Sequence, residues 1–231
     1  MKNCVILGSD SDIAKGLQTH LKADGWNVQG WRRGEPKHRL SDLPFLWDLI
    51  IVAIGRISPI GLWIDNDMSE WVDTFAGNLI IPFELLENLW PFHVPGSSVC
   101  FLAGSNPNTI MDGYSAYNVS KMAMLKLVEQ LDHETPDAKF FALGPGTILT
   151  KIHKQSEGWH NPKLAAAQAA NEDPQVKIRQ VYECLQWCIA QSKEVIGGRN
   201  ICVSDQRDES LSLRLSVDPD LFKLRRRERW D

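Results

Sequence analysis

The 231-residue sequence has no apolar run long enough to cross a bilayer. It has no basic excess either. Its 25 Lys and Arg stand against 29 Asp and Glu, a net charge of −4, so no nucleic-acid surface is indicated. The five cysteines are odd in number and scattered. They form no disulfide framework and fit reduced thiols in a cytoplasm. No His and Cys cluster has metal-ligand spacing. Cys184 and Cys188 share a helix face and read as small apolar core residues. Internal repeats and low-complexity segments are absent, and Met1 to Gly8 is too quickly interrupted for a signal peptide. The expectation is a cytoplasmic protein with neither nucleic-acid nor membrane partners.

What is present is the composition of one sizeable α/β domain. Hydrophobic content is 43%, and nine tryptophans supply core and interface bulk. Apolar runs alternate with helix-period segments, which predicts βαβ units and a doubly wound, Rossmann-like parallel sheet over residues 1–231. Strands are expected at Cys4–Leu7, Asn27–Trp31, Leu49–Ile54, Ser98–Ala103, Lys139–Leu143 and Asn200–Val203. Helices are expected at Asp12–Asp24, Ser69–Trp90, Ser115–Leu131 and Val176–Gln191. The stretch Arg32–Pro44 is too short for a full helix and strand, so the sheet should be trimmed there. Residues 151–174 and the tail from Ser204 show no clear pattern.

The turn Gly8-Ser9-Asp10-Ser11-Asp12-Ile13-Ala14 follows a strand and opens a helix. Backbone N–H groups in that context can meet a pyrophosphate. Only Gly8 is a glycine; Asp12 and Ala14 stand where the usual GxxxGxG has its others. Ser9, Ser11 and Asp12 can hydrogen-bond a ribose or phosphate, and Ser11 or Asp10 can cap the helix. The second strand ends Trp31-Arg32-Arg33 with no acid. Two guanidiniums can clamp a 2′-phosphate, which favours NADP over NAD.

Tyr117 and Lys121 lie four apart at the start of a predicted helix, hence on one face. A phenol titrates near 10 and is a poor acid–base group at neutral pH. A neighbouring ammonium favours the phenolate and should lower that pKa. Ser105 follows the strand ending at Ala103, where its hydroxyl can hold a substrate oxygen. Asn78 precedes Pro82 by four residues. Proline lacks an N–H, so the Asn78 carbonyl loses its helical partner and a kink is expected.

Together these residues resemble the short-chain dehydrogenase/reductase family, with this chain as a divergent member. The order of the family is reproduced from the Gly8 turn to the strand near Val203. The resemblance implies an NAD(P)-dependent oxidoreductase that interconverts a carbonyl and an alcohol. It implies Tyr117 as general acid/base, Lys121 on the nicotinamide ribose, Ser105 on the carbonyl, and Asn78 holding a relay water. It implies cofactor contacts at Gly8, Ser9, Ser11, Asp12, Ile13, Arg32 and Arg33. Asp42-Leu43 resembles the adenine-contacting pair. Ala53-Ile54-Gly55 replaces the usual Asn-Asn-Ala-Gly ending, and Pro145, Gly146 and Ile148 would line the nicotinamide, with Thr150 near the pyrophosphate. A homodimer or homotetramer formed through the two long helices is implied. A segment at about 151–174 would cover a small-molecule substrate, with His153, His160 and Trp159 near it. The tail at about 204–231 is similar, around Asp220-Leu221-Phe222-Lys223-Leu224-Arg225-Arg226, to that of bacterial members found in surface-polysaccharide pathways, so a carbohydrate-derived substrate is the first expectation. The basic run from Lys223 to Arg229 reads as a solvated or subunit-contacting tail. Two other readings stay open: a nucleotide-sugar epimerase or dehydratase, and a non-catalytic nucleotide-binding regulator or scaffold.

Overall fold

The computed structural model describes residues 1–40, 42–104, 109–156 and 159–225. Six strands form one parallel sheet: β1 (Asn3–Leu7), β2 (Asn27–Trp31), β3 (Trp47–Val52), β4 (His93–Leu102), β5 (Ala138–Gly144) and β6 (Asn200–Cys202). Their spatial order is β2-β1-β3-β4-β5-β6. The order reverses at β1, so a crevice opens beyond the carboxyl ends of β1 and β3, the usual ligand site of such sheets.

Helices cover both faces, which is why the strands read as nearly continuous apolar runs. Side chains alternate between two cores. Cys4, Ile6, Leu49, Ile51, Phe141 and Leu143 pack with helices α1 (Asp12–Ala23) and α6 (Pro174–Ala190). Val5, Leu7, Ile50, Val52, Phe140 and Ala142 pack with α3 (Ile81–Leu89) and α4 (Ser115–Glu134). Cys184 and Cys188 are fully buried in the first core, as the helix-face reading expects.

The predicted elements form with shifted ends. β3 begins and ends earlier than Leu49–Ile54: Trp47 enters the strand and donates its indole N–H to the Leu89 carbonyl at 2.7 Å. Ala53, Ile54 and Gly55 therefore leave the sheet and enter the crevice. β4 begins five residues before Ser98, with His93 aligned opposite Trp47. Helix α1 has the expected caps: Ser11 accepts from the Ala14 N–H, and Gly25 follows with φ +80°.

The expected long helix before β4 comes in three parts. α2 (Met68–Phe75) passes through a π-helical stretch, Ala76–Ile80, into α3. The widened turn lets Ile81 N–H bond the Ala76 carbonyl five residues back. This accommodates Pro82, which has no N–H to give. Between Arg32 and Pro44 the described residues contain no strand. A 3₁₀ turn at Lys37–Leu40 stands there, and Leu40 and Leu43 fill the core beside Trp31 and Trp47.

Two regions without a sequence pattern are helical. Residues 151–174 hold a 3₁₀ turn, Lys151–Ser156, and α5 (Pro162–Ala170), capped by Asn161. After β5, α7 (Lys193–Ile196) precedes β6, and α8 (Glu209–Val217) lies in the tail. Arg199, 2% exposed, anchors that tail. Its guanidinium donates to the carbonyls of Leu215 (2.7 Å), Asp218 (3.0 Å) and Leu221 (2.7 Å), which lie at the C-terminal end of α8. Arg225 pairs with Glu129 at 2.6 Å and Asp220 at 2.7 Å. The rest of the basic run, residues 226–229, lies outside the described residues.

Candidate active site

A cleft of about 770 Å³ occupies the crevice, within the size range of cofactor sites. Of the expected residues, Gly8, Ser11, Asp12, Ile13, Arg33, Ala53, Ile54, Gly55, Tyr117, Lys121, Pro145, Gly146, Ile148 and Thr150 line it. Ser105 lies outside the described residues.

The floor of the cleft depends on Gly8. Its φ is +83°, and a Cβ there would stand 2.9 Å from the Ala53 carbonyl carbon and oxygen. Both the dihedral and the backbone clash exclude a side chain. Gly8→Ala is expected to lower stability by about 2–4 kcal/mol, read as a drop in the urea midpoint, because β3 must move away from the turn.

Several expected contacts fall elsewhere. Ser9 packs over Gly30 on β2, and its carbonyl accepts from Gln18 at 2.8 Å, so it supports the turn from behind. Leu43 is a core residue at 7% exposure, and Asp42 is exposed outside the cleft lining. The structure thus does not place this pair as an adenine-side wall. Arg32 is likewise outside the lining. Its backbone N–H (3.3 Å) and Nε (3.1 Å) both donate to Glu35, which also pairs with Arg39 at 3.5 Å. Glu35 and Arg33 line the cleft. The expected pair of arginines is therefore one arginine and a carboxylate, because the chain turns at Gly34 (φ +88°) and returns Glu35 to the strand end.

Across the mouth of the cleft, Lys151 joins the segment after β5 to the glycine turn. Its N–H donates to Asp12 Oδ2 at 2.8 Å and its Nζ to the Asp10 carbonyl at 2.7 Å. Asp12 occupies the first turn of α1, where the helix dipole favours an anion. The Asp12–Lys151 contact spans 139 positions, so no local pattern reveals it.

Tyr117 and Lys121 both line the cleft from the first turns of α4. Lys121 is 4% exposed; its Nζ donates to the Leu102 carbonyl at 2.9 Å and lies 4.0 Å from Met124 Sδ. Burial without an anionic partner lowers the ammonium pKa to about 8. Burial also pushes the Tyr117 phenol up to about 12. The four-residue spacing predicts a phenol lowered by Lys121; burial raises it instead. Gly104 makes room for the ring, since a Cβ there would sit 2.6 Å from the phenol oxygen.

Asn78 is 1% exposed and outside the cleft lining. Its side chain clamps Arg56: Oδ1 accepts the Arg56 N–H at 2.7 Å, and Nδ2 donates to the Arg56 carbonyl at 2.9 Å and to Ser120 Oγ at 2.8 Å. Ser120 in turn donates to the Tyr117 carbonyl at 2.8 Å. The β3 loop and the start of α4 are thereby tied together. Arg56 and Ser120 are not singled out by any sequence motif.

The segment after Lys151 is latched to the loop before α4. Trp159 donates its indole N–H to the Asp112 carbonyl at 2.7 Å and lies flat on Gly113, where a Cβ would stand 2.3 Å from the ring. Asn161 reaches the Tyr114 hydroxyl at 3.2 Å, and Lys163 Nζ reaches Thr109 Oγ1 at 2.8 Å. Trp159 therefore packs against Gly113 and lies outside the cleft lining. His153 lines the cleft, and burial lowers its pKa. Trp159 and His160 line a second hollow of about 630 Å³ that shares Asp12, Thr150, Lys151 and His153 with the cleft.

No family model matches the chain. Over 107 residues it is 29% identical to an uncharacterized oxidoreductase of Schizosaccharomyces pombe, a match spanning 46% of this chain and 43% of that protein. Among solved structures, a short-chain dehydrogenase/reductase from Saccharomyces cerevisiae aligns with a TM-score of 0.74 at 17% identity, covering 91% of this chain and 98% of the other. The aldohexose dehydrogenase of Thermoplasma acidophilum gives 0.72 at 17% identity, covering 87% and 92%. A short-chain dehydrogenase from Shigella flexneri complexed with NADP gives 0.71 at 14% identity, covering 88% and 97%. The chain has the fold of the short-chain dehydrogenases/reductases.

Proposed function

We propose that this protein is an NADP(H)-dependent oxidoreductase of the short-chain dehydrogenase/reductase family that interconverts a carbonyl and an alcohol. The observation that carries this is the convergence of Tyr117, Lys121, Gly8, Arg33, Pro145–Ile148 and Thr150 on one cleft at the switch point of the sheet. The glycine turn and the N-terminus of α1 would receive the pyrophosphate. Arg33 would receive a 2′-phosphate, with Glu35 held by Arg32 and Arg39. The bound nicotinamide supplies or accepts hydride. Tyr117, neutral at pH 7, would donate a proton to the carbonyl oxygen in reduction, and Ser105 would orient that oxygen. Lys121 would bond the ribose, and the Asn78 backbone would hold a relay water. The neighbours complexed with NADPH or NADP support the cofactor choice.

A carbonyl panel assayed by NADPH consumption tests the reaction. Turnover of at least one carbonyl is expected, and no turnover of any ketone or aldehyde counts against it. Arg33→Ala is expected to lower kcat/KM about 10- to 100-fold with NADPH and much less with NADH. An unchanged NADPH to NADH ratio would remove Arg33 from the cofactor site.

A carbohydrate-derived substrate, a cytoplasmic location and a homodimer or homotetramer belong to the same reading. No helix among the described residues is long and apolar enough to cross a membrane. Val72, Ile80, Phe83 and Val119, all at least 42% exposed on α2, α3, α4 and the π stretch, would form the subunit contact.

A further inference from the structure

We propose that Arg56 binds an anionic group of the substrate, so that the natural substrate is an oxo acid or a phosphorylated carbonyl. This rests on the oxidoreductase reading of the cleft. The charges along the cleft are partitioned. Its lining acids, Asp10, Asp12 and Glu35, all come from the first 35 residues, beside the glycine turn and the end of β2. From residue 53 onward the lining, among the described residues, holds no carboxylate. It carries Arg56, Lys121, Lys151 and His153. Lys151 is tied back to Asp10 and Asp12, so Arg56 and Lys121 are the cations of this stretch that the lining acids do not meet.

Within that stretch Arg56 is the cation built to receive a ligand. Its backbone is fixed on both sides by Asn78, which also holds Ser120 beside Lys121. Its buried Nε has no hydrogen-bond partner among the described residues. An unmet buried donor on a cationic group is costly, so the guanidinium gains by reorienting onto a ligand anion. The guanidinium reaches one carboxylate, that of Asp73, at 3.5 Å, and that side chain is 65% exposed. So long and exposed a pair adds little, which leaves the planar fork open to bidentate capture of a carboxylate or phosphate. Lys121 is committed to the Leu102 carbonyl, and Lys151 to the glycine turn.

The test uses the full chain with NADPH and a matched pair of aldehydes, 4-carboxybenzaldehyde and its methyl ester. The acid is expected to have the higher kcat/KM by about 10- to 100-fold, the worth of one charge-assisted contact. Arg56→Gln should bring that ratio near one, and Arg56→Lys should restore part of it. Asp73→Asn, which frees the guanidinium, should raise it. A wild-type ratio near one, or a ratio that Arg56→Gln leaves unchanged, overturns the proposal. Should neither aldehyde turn over, benzoate and benzamide are titrated onto the NADPH complex; equal affinities overturn it as well. A matched phosphorylated aldehyde distinguishes phosphate from carboxylate. Failure of NADPH itself to bind is a different result, and it removes the oxidoreductase reading together with this one.

Discussion

Tyr117→Phe is expected to lower kcat for carbonyl reduction by about 10²- to 10⁴-fold, with NADPH affinity changed by no more than a few-fold. The substitution removes one oxygen and leaves the ring that packs against Gly104. What is lost is the proton donor, and positioned acid–base groups contribute rates of that size. Burial pushes the phenol to about 12, so Tyr117 is neutral at pH 7 and already carries the proton that reduction needs. The reverse reaction needs phenolate, and its rate should climb with pH well above neutrality. Stopped assays in both directions from pH 6 to pH 10 check this. A Phe variant with wild-type kcat contradicts the assigned role.

Lys121→Met is expected to do two opposite things: abolish most turnover and stabilise the fold. The ammonium is 4% exposed and has no anionic partner among the described residues, and burial lowers its pKa from 10.5 to about 8. A folded-state pKa below the unfolded one means that folding disfavours the proton. The cost is fully present below pH 8 and disappears as pH rises through the window from about 8 to 10.5. A shift of that size corresponds to about 3 kcal/mol. Met fills a similar volume but forfeits the charge-assisted bond to the Leu102 carbonyl, worth about 2 kcal/mol. The net expectation is about 1 kcal/mol more stability at pH 7, shrinking toward pH 10, measured by urea unfolding at both pH values. Stability held against function is the pattern of an active-site residue. A variant less stable than wild type at pH 7 would show that Lys121 is structural.

The sheet was legible because burial on both faces leaves unmistakable apolar runs, as in Leu49–Val52 and Phe140–Leu143. The trimmed stretch after Trp31 was legible from length alone. The strand ends were less so: Trp47 joins β3 through a bond to Leu89, which lies 42 positions away. Helix α4 carried a local spacing, Tyr117 to Lys121, that the structure keeps in the cleft. Glu35 escaped notice because it sits past a glycine turn and folds back onto Arg32. Arg56 escaped because its distinction lies in Asn78, a partner 22 residues on. Lys151 and the Trp159 latch depend on contacts 139 and 47 positions long. The phenol of Tyr117 shows the limit of pairwise reasoning, since spacing identifies its cation but not the desolvation acting on both groups. Arg199 gives no pattern in sequence, yet it organises the tail through three backbone carbonyls.

The central claim is that the cleft beside Tyr117 holds a nicotinamide dinucleotide. Trp31 lines that cleft, so its emission overlaps the absorption of a bound reduced nicotinamide. Titration of NADPH into the full chain, followed by tryptophan fluorescence, is expected to give saturable quenching with a Kd at or below about 1 mM, weakened by Arg33→Ala. Fluorescence that neither NADPH nor NADH changes beyond the inner-filter effect would contradict the account.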